Sequence, residues 1–187
     1  NYKKIIQTKN RNFFLNPKFL KKKIVKSKIS KILKQVWGHD QFKIIWVGSP
    51  SKQEFKNNKV GFRIARPKNL SDIAKEHIDS YNDMKNYFFT IWVPLIGFNK
   101  KYSLKIYPKT HKLDHSKNVT KYNKKNSRLF KKNYLGKFNE KRLTLRKGNV
   151  IIFDQNLIHG GAINNGNNTR ISAEIRIFNN VIISINH

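Results

Sequence analysis

The chain has 187 residues, 38% of them hydrophobic and 12% aromatic, enough to close one core and to exclude a disordered polymer. It has no cysteine, which excludes a disulfide framework, thiolate metal sites and cysteine nucleophiles. The 40 basic and 10 acidic residues leave a formal charge of +30, which favours anionic ligands, but lysine far outnumbers arginine in a chain also rich in Asn and Ile. That pattern is what A/T-rich codons produce. Nucleic-acid binding is therefore a possible but disfavoured reading.

In chain order, residues 17–36 predict an amphipathic helix. Leu20, Ile24, Ile29, Ile32, Leu33 and Val36 fall on one stripe, Pro17 suits its first turn after an Asn16 cap, and Gly38 follows its end. A helix packed outside a sheet is the ordinary meaning of that pattern. No apolar run reaches the roughly 18 residues needed to span a bilayer. The opening residues Asn1-Tyr2-Lys3-Lys4 lack the apolar core of a signal peptide, so a cytoplasmic location is expected.

From residue 42 the pattern changes to short β-type runs. These are Phe42–Val47, Val60–Ala65, Tyr87–Val93, Tyr102–Tyr107, Asn149–Phe153 and Arg170–Phe178, with a possible last strand at Val181–Ile185. One helix followed by many short strands predicts a mainly β sandwich or jelly roll, not βαβ units. A single domain over 1–187 is expected, with a basic helical flank at 1–41 and a jelly-roll core at 42–187. Within the core, 112–147 is very lysine-rich and lacks periodicity, so it is expected to be an inserted loop or lid.

The chemistry-bearing residues are His77, Asp79, His159, Arg170 and Ser172. In extended chain, residues two apart point the same way, so His77 and Asp79 can reach one ion while Ile78 faces away. A distal His159 completes two imidazoles and a carboxylate. That set leaves an iron(II) ion three vacant positions for a co-substrate and oxygen. Gly160-Gly161 behind it permits close backbone approach or unusual dihedrals. Arg170, Ser172, Glu174 and Arg176 alternate with Ile171, Ala173, Ile175 and Ile177. An Arg fork with a hydroxyl two residues on suits a carboxylate, whereas the ordinary alternative is a solvated strand face. His111, Asp114 and His115 have a spacing that could hold zinc on a helical turn.

Residues from about 60 to 178 resemble the phytanoyl-CoA dioxygenase-like branch of the iron(II)/2-oxoglutarate-dependent oxygenases. The likeness rests on His77-Ile78-Asp79, Trp92-Val93-Pro94-Leu95, Pro108-Lys109-Thr110-His111, the Gly148 to His159 segment and Arg170-Ile171-Ser172. Two positions depart from the family pattern, Lys109 standing for its Gly and Asn149 for its Asp. The resemblance implies a double-stranded β-helix of the jelly-roll or cupin kind with flanking N-terminal helices. It implies iron(II) on His77, Asp79 and His159, and 2-oxoglutarate anchored by Arg170 and Ser172. It also implies use of O2, with succinate and CO2 as products and hydroxylation of a small molecule, which the basic charge would let be anionic. Trp92 matches a family position beside the co-substrate, with a core aromatic as its equal alternative. Lys105 is a weaker candidate for a second cation. A jelly-roll binding protein with a degenerate site is the competing class; its mark, a missing ligand or missing Arg, is not seen.

Overall fold

The structure, a computed structural model, describes residues 14–15, 22–39, 41–46, 60–80, 88–119 and 130–179. The possible strand at Val181–Ile185 lies outside them, as do Asn16 and Pro17. The elements are β1 (Phe14–Leu15), α1 (Lys28–Trp37), β2 (Phe42–Trp46), β3 (Val60–Ala65), β4 (Phe88–Ile96), β5 (Lys105–Ile106), α2 (Lys132–Leu135), β6 (Lys141–Arg142), β7 (Ile151–Asp154), β8 (His159–Gly160) and β9 (Arg170–Asn179).

The larger sheet runs β1-β3-β9-β4-β7, and β2 joins the edge of β9 that β3 also uses, further along the strand. The smaller sheet runs β6-β5-β8, and an antiparallel bridge from His77 to His159 adds a fourth row. The chain passes back and forth between the two sheets: β3, then the row at His77, then β4, the β5–β6 pair, β7, β8 and β9. That winding is a double-stranded β-helix, with a lumen between the sheets.

The alternation along β9 sorts its side chains to two faces. Ala173, Ile175 and Ile177 face outward and join Ile91, Phe42, Ile24 and Leu33 in one buried cluster. Helix α1 is what covers them. Its Trp37 stacks on Phe89 with ring centroids 5.3 Å apart. Gly38 closes α1 at φ 75, the left-handed conformation that glycine adopts without cost.

The single helix expected over 17–36 is interrupted, since α1 starts only at Lys28. Ser27 is the cause. Its hydroxyl donates to the Ile24 carbonyl at 2.7 Å and accepts from the Ile29 amide at 3.2 Å. Side-chain bonds of this kind compete with the helical ladder and convert Ser27 into an N-cap.

A second cluster, Trp92, Leu104, Ile151, Phe153 and Leu157, fills part of the lumen. A third lies on the outer side of the smaller sheet, where Ile78, Tyr107 and Ile158 meet Phe130 and Tyr134. Of the basic insert 112–147, Phe130, Tyr134, Leu135 and Phe138 therefore back the strands that carry the histidines, while Leu143 and Leu145 pack against the lumen cluster. A bridge between Val119 and Phe130 ties the described flanks of the insert together.

Candidate active site

His77 and His159 are locked to each other through the backbone. The His77 amide donates to the His159 carbonyl at 2.8 Å, and the reverse bond is 3.0 Å. This pairing needs the two glycines that follow. A Cβ on Gly161 would lie 2.9 Å from the Ala74 nitrogen, and one on Gly160 would lie 3.2 Å from the Glu76 Cα. Their role is close backbone approach, and neither carries a positive φ.

Each ring is then oriented by its own chain. His77 Nδ1 lies 2.7 Å from the Lys75 carbonyl, and His159 Nδ1 lies 2.9 Å from the Leu157 carbonyl. A carbonyl only accepts, so Nδ1 carries the hydrogen and each Nε2 offers a lone pair. The two Nε2 atoms stand 3.8 and 3.9 Å from opposite oxygens of Asp79. The three ligand atoms lie within 4.8 Å of one another, and no other such group of His, Asp or Glu occurs among the described residues. Two imidazoles and a carboxylate fit a divalent first-row metal with open positions.

The electrostatics suit that ion. Burial acts to raise the Asp79 carboxyl, but Arg176, His159 and His77 outweigh it, with help from Thr90, and hold it well below the usual carboxylate range. Arg176 Nη2 donates to one Asp79 oxygen at 2.7 Å and Thr90 Oγ1 to the other at 2.6 Å. Burial, with the neighbouring His159, pushes the His77 imidazole down to about 4. The carboxylate is thus charged and this imidazole neutral at neutral pH, the forms that bind a metal. The sequence reading assigned no role to Thr90 or Arg176. The available signal was the position of Arg176 on the same face of β9 as Arg170.

At the other end of β9, Arg170 is 3% exposed and Ser172 0% exposed, so the polar face of this strand is the inside of the barrel and not a solvated one. Arg170 donates from Nη1 to the Tyr102 carbonyl at 3.1 Å and stands 5.9 Å from the Trp92 ring centroid. Among the described residues, its Nε and the Ser172 hydroxyl are buried without a hydrogen-bond partner. Two orphaned donors side by side in a closed space are matched by an acceptor such as a carboxylate. Trp92 is a core aromatic of the lumen and lies next to the Arg170 guanidinium.

Lys105 falls outside the site, which corrects its reading as a second cation. Its ammonium bonds Glu76 at 2.7 Å and Glu140 at 3.2 Å. The reason is strand parity: Leu104 and Ile106 join the lumen cluster, so Lys105 and Tyr107 point to the outer face. The zinc reading of His111, Asp114 and His115 also fails. His115 is buried with its ring nitrogens on the Tyr134 hydroxyl and the Asn156 carbonyl, while Asp114 caps Ser116.

Lys109, which replaces the family's Gly, sits at φ 70 in the left-handed region. The next residue, Thr110, accepts from the Ile158 amide at 3.0 Å and donates to the Tyr107 carbonyl at 2.7 Å. The turn thus braces the segment leading into His159. The family model of phytanoyl-CoA dioxygenase matches residues 4–172. The chain belongs to this family.

Solved structures add the fold. EvdO2 from Micromonospora carbonacea var. aurantiaca complexed with 2-oxoglutarate is similar with a TM-score of 0.63 at 11% identity, over 89% of this chain and 66% of that one. EctD from S. alaskensis, with 2-oxoglutarate and 5-hydroxyectoine, gives 0.57 at 16% identity, over 90% of this chain and 56% of that one. The epimerase SnoN, in complex with Fe3+, alpha ketoglutarate and nogalamycin RO, gives 0.59 at 12% identity, over 90% and 64%. The chain thus spans less than two thirds of the length of these structures. No match was found among curated proteins. No helix among the described residues is long and apolar enough to cross a membrane.

Proposed function

We propose that this chain is an iron(II)- and 2-oxoglutarate-dependent oxygenase that hydroxylates a small molecule. His77, Asp79 and His159 are the metal ligands in this reading, and Arg170 with Ser172 anchors the distal carboxylate of the co-substrate. The observation that carries it is the pairing of an oriented His, Asp, His set with two orphaned buried donors in one lumen. Structural relatives whose complexes hold iron and 2-oxoglutarate support it.

When bound, iron(II) and 2-oxoglutarate supply the activation of O2, with succinate and CO2 as products and an oxygen atom delivered to substrate carbon. The protein's own part is positioning. The Lys75 and Leu157 carbonyls hold both imidazoles with Nε2 forward. Arg176 and Thr90 hold Asp79 ionised and fixed. Trp92 and its apolar neighbours keep water from the co-substrate anchor, where low polarity strengthens each hydrogen bond to the carboxylate. Asp79 leaves no ligand position for a halide, so hydroxylation is favoured over halogenation. A reducing cytoplasm, which keeps iron ferrous, is the compartment this chemistry implies.

The test is an anaerobic titration with iron(II) and 2-oxoglutarate, following the visible metal-to-ligand charge-transfer band, with Asp79→Ala alongside. A band in the wild type that the variant lacks supports the assignment and justifies a substrate screen by succinate release. A folded wild type with no band would make the chain a binding module.

A further inference from the structure

Arg63 has no role in the site described above, yet it stands in the same lumen. It sits on β3 opposite Ser172 of β9, so it shares the inward face. Its Nε lies 2.8 Å from Glu174 Oε1, and Glu174 occupies that inward face between Ser172 and Arg176. Arg176, the next inward residue of β9 after Glu174, bonds Asp79 at 2.7 Å, so the Arg63–Glu174 pair lies one row along the lumen from the triad.

Exposure separates Arg63 from the other guanidiniums there. Its side chain is 42% exposed, against 16% for its partner Glu174 and 14% for Arg176. Glu174 is also its one ion-pair partner among the described residues. An arginine offers five donors in a rigid fork. Glu174 holds the guanidinium through Nε and sets its direction, while the side chain as a whole remains partly open to solvent.

Charge balance points the same way. Among the described residues, three guanidiniums, Arg63, Arg170 and Arg176, share the lumen with two carboxylates, Asp79 and Glu174. A dication and a dianionic co-substrate cancel each other. One positive charge is then left over, and the open guanidinium is Arg63.

We infer that Arg63 is a specificity-determining residue that receives an anionic oxygen group of the substrate, a carboxylate or a phosphate ester, and holds it next to the metal. Glu174 is its positioning partner. This rests on the proposed function, because it takes the triad as the reaction centre.

The test uses the full chain loaded anaerobically with iron(II) and 2-oxoglutarate, so that only events near the metal move the charge-transfer band. Ordinary anion binding to surface lysines leaves the band untouched. The probes are butyrate, methyl phosphate and neutral butyramide, titrated into the wild type, Arg63→Gln, Arg63→Lys and the double variant Arg63→Gln/Glu174→Gln. The double variant leaves no unpaired Glu174, which guards against a single variant that fails to fold.

The expected result is a saturable band shift with one or both anions and none with butyramide. Arg63→Gln and the double variant should weaken that binding at least tenfold, Arg63→Lys should fall between, and the 2-oxoglutarate midpoint should move less than twofold. Whichever anion shifts the band tells a carboxylate from a phosphate ester. Equal anion binding by the wild type and both glutamine variants, or no anion response in the wild type, overturns the inference while the oxygenase reading stands. A tenfold loss of 2-oxoglutarate affinity in Arg63→Gln reassigns Arg63 to the co-substrate and also overturns it. Absence of the band in folded wild type overturns both.

Discussion

Replacing Arg170 with Met should push stability and co-substrate affinity in opposite directions. Burial pushes this guanidinium down to about 10, which corresponds to roughly 3 kcal/mol of unfavourable burial in the ligand-free protein. Methionine keeps the aliphatic volume and removes that cost. Against the gain stand the bond to the Tyr102 carbonyl at 3.1 Å and the contact over Trp92 at 5.9 Å. Each of these is worth about 1 kcal/mol. The net expectation is a ligand-free protein more stable by about 1 kcal/mol, which in a chain of this size raises Tm by roughly 2–4 °C.

The 2-oxoglutarate complex should lose about 3 kcal/mol, since a buried charge-assisted pair loses one partner. That is a fall in affinity of more than about a hundredfold. Thermal melts with and without 2-oxoglutarate, together with the anaerobic band titration, read both effects from one preparation. Wild-type affinity for 2-oxoglutarate in Arg170→Met would refute the anchor. A ligand-free variant melting well below the wild type would refute the idea that Arg170 is held at a cost for its ligand.

Three further outcomes follow from the geometry. Asp79→Ala should abolish iron binding in a metal titration and also cost about 3–5 kcal/mol in denaturant unfolding, because it strands the buried Arg176; adding Arg176→Met should restore most of the stability but none of the metal binding. Gly161→Ala places a Cβ 2.9 Å from the Ala74 nitrogen, so the paired backbone must separate. It should destabilise by about 1–3 kcal/mol and weaken iron binding, and an unchanged metal affinity would show that the glycine does not set the histidine spacing. Lys109→Gly should stabilise by roughly 0.5–1 kcal/mol, the left-handed strain at φ 70 less the added entropy of glycine in the unfolded chain; a lower denaturation midpoint would count against strain at this turn.

Several features were legible because they are local. Val60–Ala65 forms a strand with the bounds its composition predicts. Gly38 ends α1 in the left-handed conformation expected of it. The two-residue spacing of His77 and Asp79 turns both inward and sends Ile78 to the outer cluster, because parity is a property of extended backbone. The break at Ser27 was local too, but it rests on two bonds from its hydroxyl to the backbone, and an apolar stripe carries no information about those.

The sequence by itself determined which residues share a face: Arg170, Ser172, Glu174 and Arg176 on one side of β9, the isoleucines on the other. Only the tertiary structure decided that the polar side is the interior. In an open sheet the same alternation puts the apolar face in the core, whereas here helix α1 covers that face from outside and the second sheet closes over the polar one. The same closure sends Lys105 outward to Glu76 and brings Thr90 and Arg176 onto Asp79 across 11 and 97 residues of chain. Periodicity is written by neighbours two residues apart, but which side is inside, and which distant cation meets a buried carboxylate, is set by how the sheets wind.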